Sequence, residues 1–192
     1  MTQYAYPDAH VSVGDWSDHG GNLDNNLWQD VDDAFDAANS TADATYATII
    51  DELGELEEFP VHWGMSDITD PNGAGGAGDY KIHIRWTTEY GGGAEDVVAK
   101  LYKDTSTLFA TSAALSPPMY EGSSDFVDSG WELTQSQITA GGTFQNLTIK
   151  LGYFDTNGDG GTLWVSKVYF ECPDAAASAA TTNPSFLLFV DP

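Results

Sequence analysis

The sequence predicts an all-β protein: an antiparallel β-sandwich, jelly-roll-like, with extended N- and C-terminal segments. Three observations predict it. Tyr80, Ile82, Ile84 and Trp86 alternate with Lys81, His83, Arg85 and Thr87, the period-two pattern of a strand with one face in a core. Eight to ten strand candidates follow one another between Gly, Pro, Asn and Asp turn signals. No long helical pattern interrupts them. Short strands at this spacing belong to sandwiches and jelly rolls.

Residues 1–26 are turn-rich (Pro7-Asp8, Gly14-Asp15, Gly20-Gly21, Asn25-Asn26) and read as an N-terminal arm, with HVSVGDW as a short strand candidate inside it. Leu27, Val31, Ala34, Phe35 and Ala38 recur at helical spacing, but the aspartates between them lower helix propensity. Thr45–Ile50 is β-branched and aromatic, as strands are. Asp51–Phe59 is an acidic connection. In Pro60–Ser66, Val61, Trp63 and Met65 alternate against His62 and Gly64. Asp67–Gly78 is a long loop holding a Pro-Asn-Gly turn.

Gly91-Gly92-Gly93 separates the Tyr80 run from a second one. There Val97, Ala99 and Leu101 share one face, and Val98, Lys100 and Tyr102 the other. Two such runs around a glycine cluster predict a long hairpin. Leu108–Leu115 and Asp125–Thr134 are further strand candidates. SQITAGG leads into Phe144–Phe154, with Leu147, Ile149, Leu151 and Tyr153 on one face. The turn DTNGDGG joins that strand to Thr162–Cys172, a second predicted hairpin. One sandwich domain over 27–172 results. Residues 173–192 form a small-residue linker and then an apolar run, Ser185–Val190, which is either a C-terminal arm or the closing strand. Phe186, Leu187, Leu188 and Phe189 are its candidate protein-interface residues.

Six basic against thirty acidic residues give a net charge of −24. Such a chain repels phosphate backbones and anionic lipid surfaces, which argues against nucleic acid and membrane as partners. A single cysteine, Cys172, rules out an intrachain disulfide and reads as a small buried apolar group. The first residues lack the basic and apolar regions of a signal peptide, and no apolar run reaches about 18 residues. The expectation is synthesis in the cytoplasm.

Few residues suggest chemistry. Asp155, Asn157 and Asp159 match the first half of a calcium loop, D-x-N-x-D-G, but Ser166 stands where the bidentate glutamate belongs. The same residues are what a tight turn needs, and the turn is the preferred reading. His62 and His83 sit in polar phase on strands, and no paired-histidine metal motif exists. No nucleophile elbow or phosphate loop occurs. The expectation is a protein without cofactor or catalytic centre. Of six tryptophans, Trp63 and Trp86 fall in phase with apolar neighbours and belong to the core, whereas Trp164 falls out of phase. Exposed aromatics on such a fold are able to stack on sugars.

Several phrases stand out together: YPDAHVSVGDW, LWQDVDDAFDAANSTADATYATI, MSDITDPNGAGGAGDYKIHIRW, WELTQSQITAGGTFQNLTIKL and TLWVSKVYFEC. Over about residues 6–172 the chain resembles the acidic β-sandwich proteins found among the virion structural genes of tailed bacteriophages. The resemblance implies a non-enzymatic virion protein on the particle exterior, made in the host cytoplasm. It implies a head decoration (cement) protein bracing neighbouring capsid subunits, with the major capsid protein or another virion protein as partner, and with trimers as the expected oligomer. A tail or fibre-associated protein and a carbohydrate-binding module are the alternatives. The resemblance carries over no functional residues.

Overall fold

The structure is a computed structural model that describes residues 2–12, 14, 16–17, 31, 47–51, 59–71, 74–89, 95–116, 126–155 and 161–175. In chain order the elements are β1 (Thr2–Ala5), β2 (Pro7–Ser12), β3 (Ala47–Asp51), β4 (Phe59–Met65), β5 (Lys81–Glu89), β6 (Glu95–Lys103), β7 (Thr107–Thr111), β8 (Val127–Glu132), α1 (Gln135–Gly141), β9 (Leu147–Asp155) and β10 (Gly161–Pro173). They build two five-stranded antiparallel sheets. Sheet A runs β1-β10-β5-β8, and β3 joins the same edge of β10 as β1, further along that strand. Sheet B runs β2-β4-β9-β6-β7. The predicted β-sandwich is therefore present.

Alternation places the core. Ile82, Ile84 and Trp86 of β5 and Leu163, Val165, Val168, Phe170 and Cys172 of β10 are buried on one side of sheet A. Val61 and Trp63 of β4, Val97, Ala99 and Leu101 of β6, and Ile149, Leu151 and Tyr153 of β9 do the same for sheet B. Both sets belong to one apolar cluster. Each such side chain contributes about 1.5–3 kcal/mol when fully buried. The two sheets are thus bound by the inner faces that the sequence marks.

Both expected hairpins are absent, and the strands within them are real. β5 lies in sheet A and β6 in sheet B. β9 lies in sheet B and β10 in sheet A. The glycine-rich stretches carry the chain from one sheet to the other instead of folding it back beside itself. Glycine supplies freedom for either route, so the choice is made by which edges find partners. β9 pairs with β4 and β6 along its length, and β10 pairs with β5, β1 and β3.

The N-terminal residues also differ from expectation. Thr2–Ala5 and Pro7–Ser12 are edge strands, one in each sheet, and the second overlaps the HVSVGDW strand candidate inside the expected arm. Ala5, the last residue of β1, is fully buried. The Gln3 side chain donates to Pro173 O at 2.9 Å and accepts from Thr69 N at 2.9 Å, tying β1 to the 66–71 loop. The helix candidate at 27–38 and the arm at 185–190 lie outside the described residues, apart from Val31. Val31 is buried, and its carbonyl accepts from Val168 N at 3.1 Å.

One helix escaped the sequence reading. Thr134 N donates to Gln137 Oε1 at 2.8 Å, and Thr134 Oγ1 accepts from Gln137 N at 3.3 Å. This capping box starts α1. Gly142 ends the helix at φ +62 and donates to Ile138 O. The helix delivers Phe144 between the sheets, where it stacks on Phe170 at 5.6 Å and meets Phe109 edge-on at 5.8 Å. Tyr80 lies 5.1 Å away and donates its hydroxyl to Ala74 O. An ideal Cβ on Gly141 would sit 2.8 Å from the Phe144 ring, so the ring owes its place to that glycine.

Phe144→Ala is expected to destabilise the protein by about 3–5 kcal/mol through lost burial and the cavity left behind. Urea unfolding checks this; a loss under about 1 kcal/mol would mean that the ring is no wedge.

Candidate functional site

The outer face of sheet A follows from the same alternation. Cross-strand register sets its rows. Tyr4, Glu171, Lys81 and Glu132 form one row across β1, β10, β5 and β8. Tyr169, His83 and Gly130 form the next, and Lys167, Arg85 and Asp128 the third. The aromatic groups converge at one end. The His83 ring is stacked on Tyr169 with centroids 4.4 Å apart and planes 7° from parallel. Tyr4 and Tyr6 pack against Tyr169 at 5.7 and 5.8 Å.

Charged partners hold this row in place. His83 Nε2 donates to Glu171 Oε2 at 2.6 Å. Lys81 Nζ lies 3.0 Å from Glu132 Oε1, and Arg85 donates to Asp128 Oδ2 at 3.1 Å. Gly130 ends the aromatic row without a side chain, and a Cβ there would stand 3.9 Å from His83 Nδ1. A hollow of about 210 Å³, lined by Thr2, Gly75, Gly78, Asp79, Glu171 and Pro173, adjoins the Tyr4 end. Within these three rows Lys81, Arg85 and Lys167 offset Asp128, Glu132 and Glu171, three against three, in a chain of −24.

Burial shifts several groups here. Tyr169 is pushed well above the ordinary tyrosine range, first by burial and then by Asp128 and Glu171. Tyr4, 37% exposed, rises for the same first cause, with Glu171 adding to it. Both phenols stay neutral at physiological pH and keep their donor protons. Cys172, on the inner side of β10, is pushed up to about 12 by burial.

The outer face of sheet B is organised by His62, Lys150 and Lys100, which stand in register on β4, β9 and β6. Thr148 Oγ1 donates to Asp104 O at 2.6 Å. Its single proton is used there, so His62 Nε2, 2.8 Å away, must donate to it. Burial and then Lys150 lower the His62 pKa, which keeps the ring neutral.

Other candidates from the sequence are placed as follows. Asp155 is the last residue of β9; Asn157 and Asp159 lie outside the described residues, as do Phe186, Leu187, Leu188 and Phe189. Among the described residues no group of three or more His, Cys, Asp or Glu is arranged to hold a metal. Trp16, Trp63 and Trp86 are fully buried, and half-buried Trp164 lies on the outer side of β10. Trp63 and Trp86 are thus core and Trp164 faces the other way, as their phases indicate, and tyrosines lie on the outer face as well. The signal for them was present in VSKVYFEC, where Lys167, Tyr169 and Glu171 alternate against Val168, Phe170 and Cys172. A register shift between Val165 and Lys167 hides that phase from a simple count along the strand.

No protein-family model matches the chain, and no characterised protein matches it in sequence. Among solved structures it is similar to the CBM22-1 xylan-binding domain of Paenibacillus barcinonensis Xyn10C, at 12% identity over 92% of this chain and 95% of that one, TM-score 0.35. It is also similar to TmCBM61 in complex with β-1,4-galactotriose, at 9% identity over 66% and 69%, TM-score 0.36. A Stig cyclase, Fisc, from Fischerella sp. TAU is similar at 14% identity over 89% and 90%, TM-score 0.39. These likenesses are too distant to inform function.

Two outcomes follow. Native Cys172 should resist thiol reagents near neutral pH and react fully in denaturant, since burial both hides the thiol and holds its proton; rapid native labelling counts against this. His62, with its folded pKa lowered from 6.5, stabilises fully above the unfolded value, and this contribution is lost as pH falls through 6.5 toward the folded one. The stability gap between wild type and His62→Gln should therefore narrow on acidification. A gap that stays constant from pH 8 to about pH 5 would show that His62 does not titrate with unfolding.

Proposed function

We propose that the protein is a non-enzymatic structural protein of a tailed-phage virion, carried on the particle exterior as a decoration protein, with sheet A as a recognition face for neutral carbohydrate. One observation carries the recognition: the Tyr4–Tyr6–Tyr169–His83 cluster is flanked by charged rows that already balance one another. Tyr4, 37% exposed and held by its contacts with Tyr6 and Tyr169, offers an ordered aromatic surface to a sugar ring at little entropic cost. Fixed carboxylates, lysine and phenol supply the donors and acceptors that hydroxyl groups need. A balanced face favours a neutral ligand over an ionic one.

The virion setting is supported by the sequence phrases. Four of them fall on β2, on the β4–β5 connection and β5, on α1 and β9, and on β10, and the second lies outside the described residues apart from Val31 and residues 47–49 of β3. The resemblance thus follows the elements that build the sandwich. A protein that braces capsid subunits needs such a scaffold more than it needs a catalytic centre.

A glycan array with neutral and acidic sugars tests the recognition. Binding to neutral glycans is expected, with Tyr4→Ala weakening it about tenfold, the upper range for one aromatic contact. Silence across the array would remove the carbohydrate reading and leave the virion reading standing. Gold-labelled antibody on purified particles tests the latter: label on the head supports decoration, label on tail or fibres supports the alternative position, and unlabelled particles sink both.

A further inference from the structure

An open sheet offers its edge strands to a further strand, and three of the four edges of this sandwich are blunted against that. β2 begins at Pro7, and its register with β4 shifts twice. β7 has a register shift against β6, and the Gln137 side chain of α1 donates to the Thr111 carbonyl at 3.1 Å. The third edge is split between two short strands, β1 of four residues and β3 of five, and the Val31 carbonyl takes Val168 N between them. β8 differs from these. It is six residues long, pairs with β5 in unbroken register, and contains no Pro, Lys or bulge. Among the described residues β5 is its only partner strand. Two side chains on its core-facing side are incompletely covered. Val127 is 43% exposed, and Trp131 is only partly buried against the core. Between them Ser129 Oγ accepts from Trp86 Nε1 at 2.9 Å, which leaves the hydroxyl its own proton to donate. Asp128 and Glu132, on the outer side, are held by Arg85 and Lys81 of β5.

We infer that β8 pairs antiparallel with β8 of a second copy of this chain, about a two-fold axis that stands perpendicular to sheet A beside Ser129. Such an axis keeps the outer faces of both copies on the same side, so that core-side residues meet core-side residues. It must therefore set one residue opposite its own copy, and the strand discriminates among the choices. Centred on Asp128, the pairing brings that carboxylate against itself; centred on Gly130, it brings Asp128 against Glu132. Like charges directly opposite one another disfavour both. Centred on Trp131, it leaves Val127 opposite Gln135, the first residue of α1, where no strand continues. Centred on Ser129, it sets Val127 against Trp131 twice, Asp128 against Gly130 twice, and the two Ser129 hydroxyls against each other. An aromatic–β-branched pair then covers each exposed valine, and one serine donates to the other. Asp128 and Glu132 keep Arg85 and Lys81. Residues 127–131 of each copy take part, and the two copies of sheet A become one continuous sheet. This goes beyond the virion and carbohydrate readings and depends on neither.

Sedimentation of the full chain should give a concentration-dependent dimer, distinct in mass from a trimer. Val127→Lys puts an edge lysine where the contact is apolar and should weaken the dimer about tenfold or more. Gly130→Asp, facing Asp128 of the other copy, should weaken it as well, whereas Gly130→Lys should strengthen it. Cross-linking reads the register. A short bis-maleimide should join Ser129→Cys into a covalent dimer under native conditions, because position 129 meets itself, and should join Val127→Cys far less, because position 127 meets 131. Cys172 is buried and does not compete. Circular dichroism confirms that the variants fold; if Val127→Lys does not, the Gly130 pair and the cross-link decide. A wild type that stays monomeric at high concentration overturns the inference. So does association that is unchanged in folded Val127→Lys, that moves the same way in both Gly130 variants, or that cross-links at position 127 as readily as at 129.

Discussion

The structure depends on the apolar inner faces of two strands that are consecutive in sequence and lie in opposite sheets. β9 is central to sheet B and β10 runs the length of sheet A. Ile149, Leu151 and Tyr153 from one and Leu163, Val165, Val168 and Phe170 from the other enter a single core. Once these faces are committed, β4 and β6 must flank β9, and β5 must flank β10, since each brings a matching buried row. Phe144 closes one end of that core, and the Trp16–Trp63 edge contact at 6.3 Å lies within it. Edge strands, helix and loops are fitted around this arrangement.

The same alternation distributes charge. All six lysines and arginines lie on β5, β6, β9 and β10, and the acidic excess is carried elsewhere. On sheet A the cations of three neighbouring rows meet carboxylates from β8 and β10. On sheet B, Lys100 stands opposite Lys150, with Asp96 in phase with Lys100 on β6 and Asp8 at the β2 edge. Net charge alone, read as a solvated acidic surface, conceals this division.

The candidate site was partly legible. His83 and Lys81 were visible as outward residues of a half-buried strand, and Trp63 and Trp86 as core. The tyrosine cluster was not, for two physical reasons. Tyr4 and Tyr6 belong to a segment whose turn residues gave no strand signal, and it becomes a strand by pairing with β10. Tyr169 is separated from the preceding alternation by a bulge, which shifts phase without any marker residue. Likewise the capping box that starts α1 was written in Thr134 and Gln137, but the helix is too short to show a periodic face.

The sequence by itself determined that the protein is built of strands, which residues of β4, β5, β6 and β9 face the core, and that Cys172 is buried. These are consequences of period-two alternation, which each strand expresses locally. Tertiary structure decided which strands are neighbours. A glycine-rich connection permits either a hairpin or a crossing to the other sheet, and nothing within DTNGDGG distinguishes them. The decision belongs to long-range pairing, in which β10 finds β5, β1 and β3 on its two edges and β9 finds β4 and β6. Both candidate faces inherit that decision, because each row of side chains across a sheet exists only once its strands have been set side by side.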